Sequence, residues 1–363
     1  MKLRTRLCAA VLVISALLGA AACGDDDDAG STSSSSAVSP GSPGSPASGG
    51  VPNNGAAYPV TIENCGKKYT FDKAPSRVVV MNGGSVAEVS ALVALGLGDR
   101  IVANAQSYGA SDEPGRAEAI AALPTGGIKL NDAMDIPREA MLGLRPDFVM
   151  STYGGGFAAD SGFATREDLA GVGANTYVPR ATCGGAGEVA GSQTIEDSYA
   201  VLRDLGRIFG VSDKAESLIA TSQKQVADAA GKVAGTTSKP KVMLIIPGMT
   251  MGAAEFSSIG ANGIWNDIIG KAGGVNAFEG STKGMFANLS KEQVAAAQVD
   301  AVIIVAFMNP DPAGDAAKLF AQFPQWEAAK SNRFVVLSDS VYLGPDNATA
   351  VDKLARVIHP DRF

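Results

Sequence analysis

Four cysteines and one histidine limit the side-chain chemistry open to this 363-residue chain. The only imidazole, His359, stands near the C-terminus, which excludes a His-rich transition-metal site. A Ser-His-Asp hydrolase would have to bring its base from that end, and no G-x-S-x-G nucleophile turn is present. Walker and G-x-G-x-x-G phosphate loops are also missing. These residue types suit non-covalent binding better than catalysis.

Two carboxylate pairs share a spacing. Glu139 and Asp147 bracket a short apolar helix pattern that runs into Phe148-Val149-Met150. Glu292 and Asp300 do the same before Ala301-Val302-Ile303-Ile304. Glu is favoured near helix N-termini, which accounts for each glutamate separately but not for the repeated eight-residue frame. Ser290 and Gln293 form a capping box at the second helix, and Asp135 with Pro137 starts the first.

Strands alternating with helices surround these frames. Tyr58–Asp72 reads as a hairpin around Asn64-Cys65-Gly66-Lys67, followed by strands at Arg77–Asn82, Ile101–Ala105, Asp147–Ser151 and Thr176–Pro179. Helices are expected at Val86–Leu95, Arg138–Leu144 and Ser192–Phe209. The pattern restarts with a strand at Lys241–Ile246 and a helix at Ile264–Lys271, in which Trp265 reads as core. A helix at Lys291–Gln298, strands at Ala301–Ala306 and Phe334–Leu337 and a helix at Thr349–Ile358 complete it. Between the halves, Ser212–Ala234 is an amphipathic run opened by Ser212 and Asp213, a rod on the order of 33 Å. The expected fold is therefore α/β. Two lobes, 58–211 and 236–363, each with a mostly parallel sheet and its own core, are joined by one long rigid helix over 212–235. An ordinary long helix within one domain is the alternative reading of that stretch.

Residues 1–22 read as a signal peptide, with Lys2, Arg4 and Arg6 before an apolar core too short to span a bilayer. Gly19–Ala22 leads into Cys23 in a pattern that resembles a bacterial lipobox, although Ala20 stands where Leu is usual. Lipidation of Cys23 is expected; plain cleavage after Ala-x-Ala, giving a freely secreted protein, is the alternative. The Asp, Ser, Gly and Pro of 23–57 read as a disordered tether. Its four aspartates read as a solvated charge run rather than a metal site. Removal of the three signal-peptide cations leaves 37 acidic against 27 basic residues, a balance of −10, with no basic patch for nucleic acid. Of the cysteines, Cys65 and Cys183 remain in an oxidising compartment and are expected to pair, two buried free thiols being the alternative.

Several stretches together resemble a known family. They are Cys23, Ile62-Glu63-Asn64-Cys65-Gly66, Ala74-Pro75-Ser76-Arg77-Val78-Val79, Ala94-Leu95-Gly96-Leu97 and Arg145-Pro146-Asp147-Phe148-Val149. The family comprises the substrate-binding lipoproteins of ABC importers for ferric siderophores, with haem and cobalamin binders as relatives. The likeness covers about Tyr58 to His359. It implies a monomeric receptor on the outer face of the cell membrane, with its ligand between two lobes and no cofactor or resident metal of its own. Glu139 and Glu292 match the glutamates that dock on the permease, and through it serve the ATPase. Ligand contacts are expected on loops after the strand ends: Asn82, Gly83, Ser85, Ser107, Tyr108, Thr152, Tyr153, Phe157 and Arg180 in the first lobe. In the second they are Pro247, Met249, Phe286, Met308 and Tyr342, with Arg180 or Lys283 balancing a negative chelate. Tyr108, Tyr153 and Tyr342 keep a haem reading open. An extracytoplasmic enzyme or structural lipoprotein is the remaining alternative.

Overall fold

The computed structural model describes residues 58–107, 111–184, 191–247 and 255–363. The expected signal peptide and tether, with Cys23, lie outside them, as do Tyr108 and Met249. A hairpin opens the described chain: β1 (Val60–Asn64) pairs antiparallel with β2 (Lys67–Phe71) across a Cys65-Gly66 turn whose φ angles, 50° and 73°, are both left-handed. Next come β3 (Val78–Val80), β4 (Ile101–Asn104), β5 (Phe148–Met150) and β6 (Asn175–Tyr177). They form a parallel sheet in the order β4-β3-β5-β6.

The second half supplies β7 (Lys241–Ile245), β8 (Phe256–Ile259), β9 (Val275–Asn276), β10 (Phe286–Leu289), β11 (Ala301–Ala306) and β12 (Phe334–Ser338). Four of these make a second parallel sheet, β9-β7-β11-β12, while β8 and β10 form a separate antiparallel pair. Counting the four parallel strands of each sheet in chain order, both lobes have the order 2-1-3-4.

The long helix spans Ser212–Val233, 22 residues or about 33 Å. Ser212 is its first helical residue and Val211 the cap, so the serine does not cap it as expected. Ala215, Ile219, Ser222, Val226, Ala229 and Val233 are buried along one stripe at alternating three- and four-residue steps. That stripe faces the helices Ile195–Phe209 and Asn347–Ile358.

Each sheet has an inner and an outer face, because side chains alternate along a strand. The outer faces carry separate cores: Val79, Met81 and Val149 with Phe163 in the first lobe, and Met243, Val302 and Ile304 with Phe323 and Trp326 in the second. The inner faces differ from expectation. Val78, Val80 and Phe148 belong to the same continuous apolar body as Val242, Leu244 and Ile303. The long helix, its two helical neighbours and the helix Ile264–Lys271, with Trp265 buried in it, fill the space between the sheets. The helix is thus a member of a shared layer rather than a bare rod between independent cores. Its half-apolar face cannot stay wet, and three helices covering it bury more area than one.

The cysteines are joined: Cys65 and Cys183 form a disulfide with their Cα atoms 5.4 Å apart. Beside it, Asn64 donates to the Val178 carbonyl at 2.7 Å and accepts from its N–H at 3.1 Å, tying the hairpin to the end of β6.

Candidate functional site

In a sheet of order 2-1-3-4 the connections leave strands 1 and 3 in opposite directions, which opens a crevice at their carboxyl ends. In the first lobe this crevice lies between the loops after β3 and β5. In the second it lies between those after β7 and β11.

Most of the expected polar contacts of the first lobe are occupied in shaping these loops. Asn82 is buried, and its side-chain amide donates to the Met134 carbonyl at 2.6 Å. Its backbone N–H donates to Asp135 Oδ1 at 2.9 Å, and that of Gly83 to Oδ2 at 3.3 Å. Ser85 Oγ accepts from the Ala87 N–H at 2.9 Å, at the start of the helix Ala87–Ala94. Thr152 is buried; its hydroxyl donates to Glu88 Oε2 at 3.0 Å and its carbonyl accepts from Thr182 Oγ1. Gly83 has φ 56°, and a Cβ there would overlap Thr152 Oγ1. Gly154 likewise lets the loop after β5 pass directly against the Cys183 carbonyl.

Tyr153 differs from these in being only partly buried. Burial and the nearby Asp135 raise its phenol above the ordinary range. Ser107 is exposed. Arg180 is exposed and forms a two-point pair with the buried Asp204, each N···O distance being 3.1 Å, so its charge is already partly balanced. Tyr177 also donates to that carboxylate. Phe157 is buried in the outer core beneath the Arg166 guanidinium, 4.6 Å from the ring centre, and so does not face the strand-end loops as expected.

In the second lobe Phe286 opens β10, opposite Ile259, and packs beside Leu244 and Ile246 at the end of β7. Met308 follows β11 and is 53% exposed, with φ 46°. Pro247 is partly buried and Lys283 exposed. Tyr342 is mostly buried, its hydroxyl 3.4 Å from Gln193 Nε2, and burial pushes it up to about 12.

Several residues have no counterpart among the expected contacts. Met134 is 50% exposed at φ 57°, the first-lobe analogue of Met308 in exposure and backbone shape. Such a backbone is uncommon for a side chain of this size. Glu88 and Asp339 are buried carboxyl groups where the helix Ala87–Ala94 of one lobe packs on the turn Asp339–Val341 of the other. A lone acid amid Ala, Val and Leu was the visible signal for Glu88. The segment Ser111–Arg116 crosses the same boundary. Asp112 accepts from the Ser338 N–H at 2.9 Å and from Lys353 at 2.7 Å, Glu113 from Thr349 at 2.6 Å, and Ser111 donates to Asp346 at 3.0 Å.

Glu139 and Glu292 are both exposed, each in the first turn of a helix that feeds a central strand. Arg138 links Glu139 to Asp168, at 2.7 Å to each. Hydrogen bonding by Ser290 draws the Glu292 carboxyl below its ordinary range. Among the described residues no cluster of three or more His, Cys, Asp or Glu could hold a metal ion, and no helix is long and apolar enough to cross a membrane.

Two lobes of like topology with a crevice at their strand ends define a solute-binding architecture. The family model for periplasmic binding proteins matches residues 78–341, and the chain belongs to that family. It is therefore an extracytoplasmic binding protein that serves an ABC permease and is not an enzyme. It is similar to a solved Fe3+-hydroxamate transport protein from Saccharomonospora viridis, with 25% identity and a TM-score of 0.64 over 84% of this chain and 99% of that one. A periplasmic binding protein from Veillonella parvula has 21% identity and a TM-score of 0.66, over 83% of this chain and 97% of its own. A periplasmic heme-binding protein from Roseiflexus has 20% identity and a TM-score of 0.58, over 79% and 99%. No curated protein matches the sequence.

Proposed function

We propose that the protein is a lipid-anchored receptor that captures an iron–siderophore complex outside the cell and delivers it to an ABC importer. The observation that carries this reading is the group of aromatic and thioether side chains on loops and strand starts near the two sheets. Tyr153, Phe286 and Tyr342 are partly buried, and Met134 and Met308 stand exposed on opposite lobes. Aromatic and thioether side chains pack on a bulky, fully coordinated chelate and leave the metal to its own ligands. The likeness to the hydroxamate transport protein agrees with that chemistry.

A haem ligand is the second reading, since Tyr153 and Tyr342 offer phenols. Burial raises both phenols, and Tyr342 already lies 3.4 Å from Gln193 Nε2. The siderophore reading is preferred on the exposed thioethers of Met134 and Met308 and the likeness to the hydroxamate transport protein. Residues 1–22 serve as the signal, Cys23 as the lipidated residue and 23–57 as the tether. Lobes of 58–211 and 236–363 meet through the helix of 212–235. Glu139 and Glu292 act as the docking charges for the permease, and the receptor works as a monomer. Calorimetric titration with ferric hydroxamates, ferric catecholates, haem and cobalamin tests the reading. It stands if a ferric chelate binds in the micromolar range or tighter, and it falls if only haem or cobalamin binds.

A further inference from the structure

Three strand-end loops of the first lobe converge on one buried side chain. Gln106, fully buried after β4, directs Nε2 to the Met81 carbonyl at 3.0 Å, the Asn82 carbonyl at 3.2 Å and Glu88 Oε2 at 2.8 Å. Its Oε1 accepts from the Val89 N–H at 3.1 Å. Glu88 Oε2 also accepts from Thr152 Oγ1, so the loop after β5 joins those after β3 and β4 through a single carboxyl oxygen. The groups so tied are Met81 and Asn82 on one side of the crevice and Thr152, next to Tyr153, on the other.

We propose that Glu88 and Gln106 are positioning residues of the ligand cleft, a buried bridge that holds all three first-lobe loops in one arrangement. The proposal rests on the crevice being the ligand site. Removing either member leaves the others with donors or acceptors that water cannot reach, a cost that falls on all three loops together.

The bridge has a protonation requirement. Glu88 Oε1 has no hydrogen-bond partner, and neither oxygen of Asp339, across the lobe boundary, has one. The charged and titratable groups felt around this pair are Asp112, Tyr342 and Tyr177. Two cations of the crossing contacts are committed elsewhere: Lys353 to Asp112, and Arg116 to Asp346 and the Ser90 carbonyl. With no cation against it, burial raises the Glu88 carboxyl and so favours the acid form. A glutamine copies that acid in shape and charge.

Three variants test the bridge: Glu88→Gln, Glu88→Ala and Gln106→Leu. Hydrogen exchange followed by mass spectrometry, at two or more pH values, reads the loops without any ligand. Glu88→Ala and Gln106→Leu should speed exchange together at residues 81–86, 104–107 and 151–154, by roughly tenfold or more. Glu88→Gln should stay within about twofold of the native protein, and unlike it should show no added loop opening as the pH rises. Affinity for a ferric hydroxamate probe should fall roughly tenfold in the first two variants and hold in the third. Faster exchange confined to the helix Ala87–Ala94, or a Glu88→Gln variant as impaired as Glu88→Ala, overturns the proposal. If the native protein binds no ferric chelate, the ligand reading fails, while the exchange pattern still decides whether the bridge exists.

Discussion

Asp147 and Asp300 make the same connection in the two lobes. Asp147 accepts from the Arg77 N–H at 2.8 Å through Oδ1, and its own N–H donates to the Arg77 carbonyl at 3.1 Å. Asp300 accepts from the Lys241 N–H at 2.8 Å through Oδ2 and donates to the Lys241 carbonyl at 2.8 Å. Each aspartate thus joins the foot of its own strand, β5 or β11, to the foot of the first strand of its sheet, β3 or β7. The eight-residue frame from Glu139 to Asp147 and from Glu292 to Asp300 marks equivalent positions, which places the two glutamates on corresponding helices.

Asp147→Ala and Asp300→Ala should each destabilise the protein by about 1.5–3 kcal/mol, the range for hydrogen bonds to a charged acceptor. Asp147→Ala should cost more, because Asp147 also accepts from the N–H and hydroxyl of Ser76. Urea unfolding measures both, and equal, negligible losses would show the ties to be ornamental.

Charge reversal at the exposed glutamates separates docking from capture. Glu139→Arg with Glu292→Arg should abolish ligand uptake by cells and leave the affinity of the purified protein within about twofold, since exposed pairs act on encounter and register. A lost affinity would move these residues into the binding cleft.

Asp339 gives stability a pH dependence. Burial lifts its carboxyl to about 8, so the native state holds a proton that the unfolded chain releases near its ordinary value of about 4. Its contribution is fully present below about pH 4 and is lost as the pH rises towards 8, with a slope of up to about 1.4 kcal/mol per pH unit. Asp339→Asn should flatten this portion of the curve and make the protein more stable than the native form at pH 8. Thermal melts across that window check it.

Cys65→Ser with Cys183→Ser should lower stability by at most about 5 kcal/mol on the chain-entropy scale, given a sequence separation of 118 residues. The loop after β5 should loosen as well, because Gly154 packs against the Cys183 carbonyl. Calorimetry and hydrogen exchange at residues 152–157 read the two effects.

Met134→Ala and Met308→Ala are expected to weaken binding of a ferric chelate by roughly two- to tenfold each while leaving the melting temperature nearly unchanged. Both side chains are at least half exposed, so little packing is lost. Unchanged affinity in both would remove the methionines from the site.

Much of this architecture was legible because buried parallel strands carry unbroken apolar runs, as at Val78–Val80 and Ala301–Ala306. Capping signals also placed ends well, Ser290 with Gln293 among them. The pair β8 and β10 escaped because each strand is four residues long and they meet only across an intervening helix. The helix Arg166–Gly171 escaped although Thr165 and Asp168 carry a capping box, because six residues hold too little periodicity to read. Site residues were less legible still. Arg180 resembles a free cation until helix Ile195–Phe209 brings Asp204 beside it, and Met134 gains its prominence from a left-handed backbone that no local pattern announces.

The apolar body common to both inner sheet faces, together with the crossing Ser111–Arg116 segment, bears on how cargo is loaded. Halves that share a core along one side have little freedom to swing apart, so loading should proceed with a small change in overall size. Small-angle scattering of the empty and loaded forms should then differ little in radius of gyration.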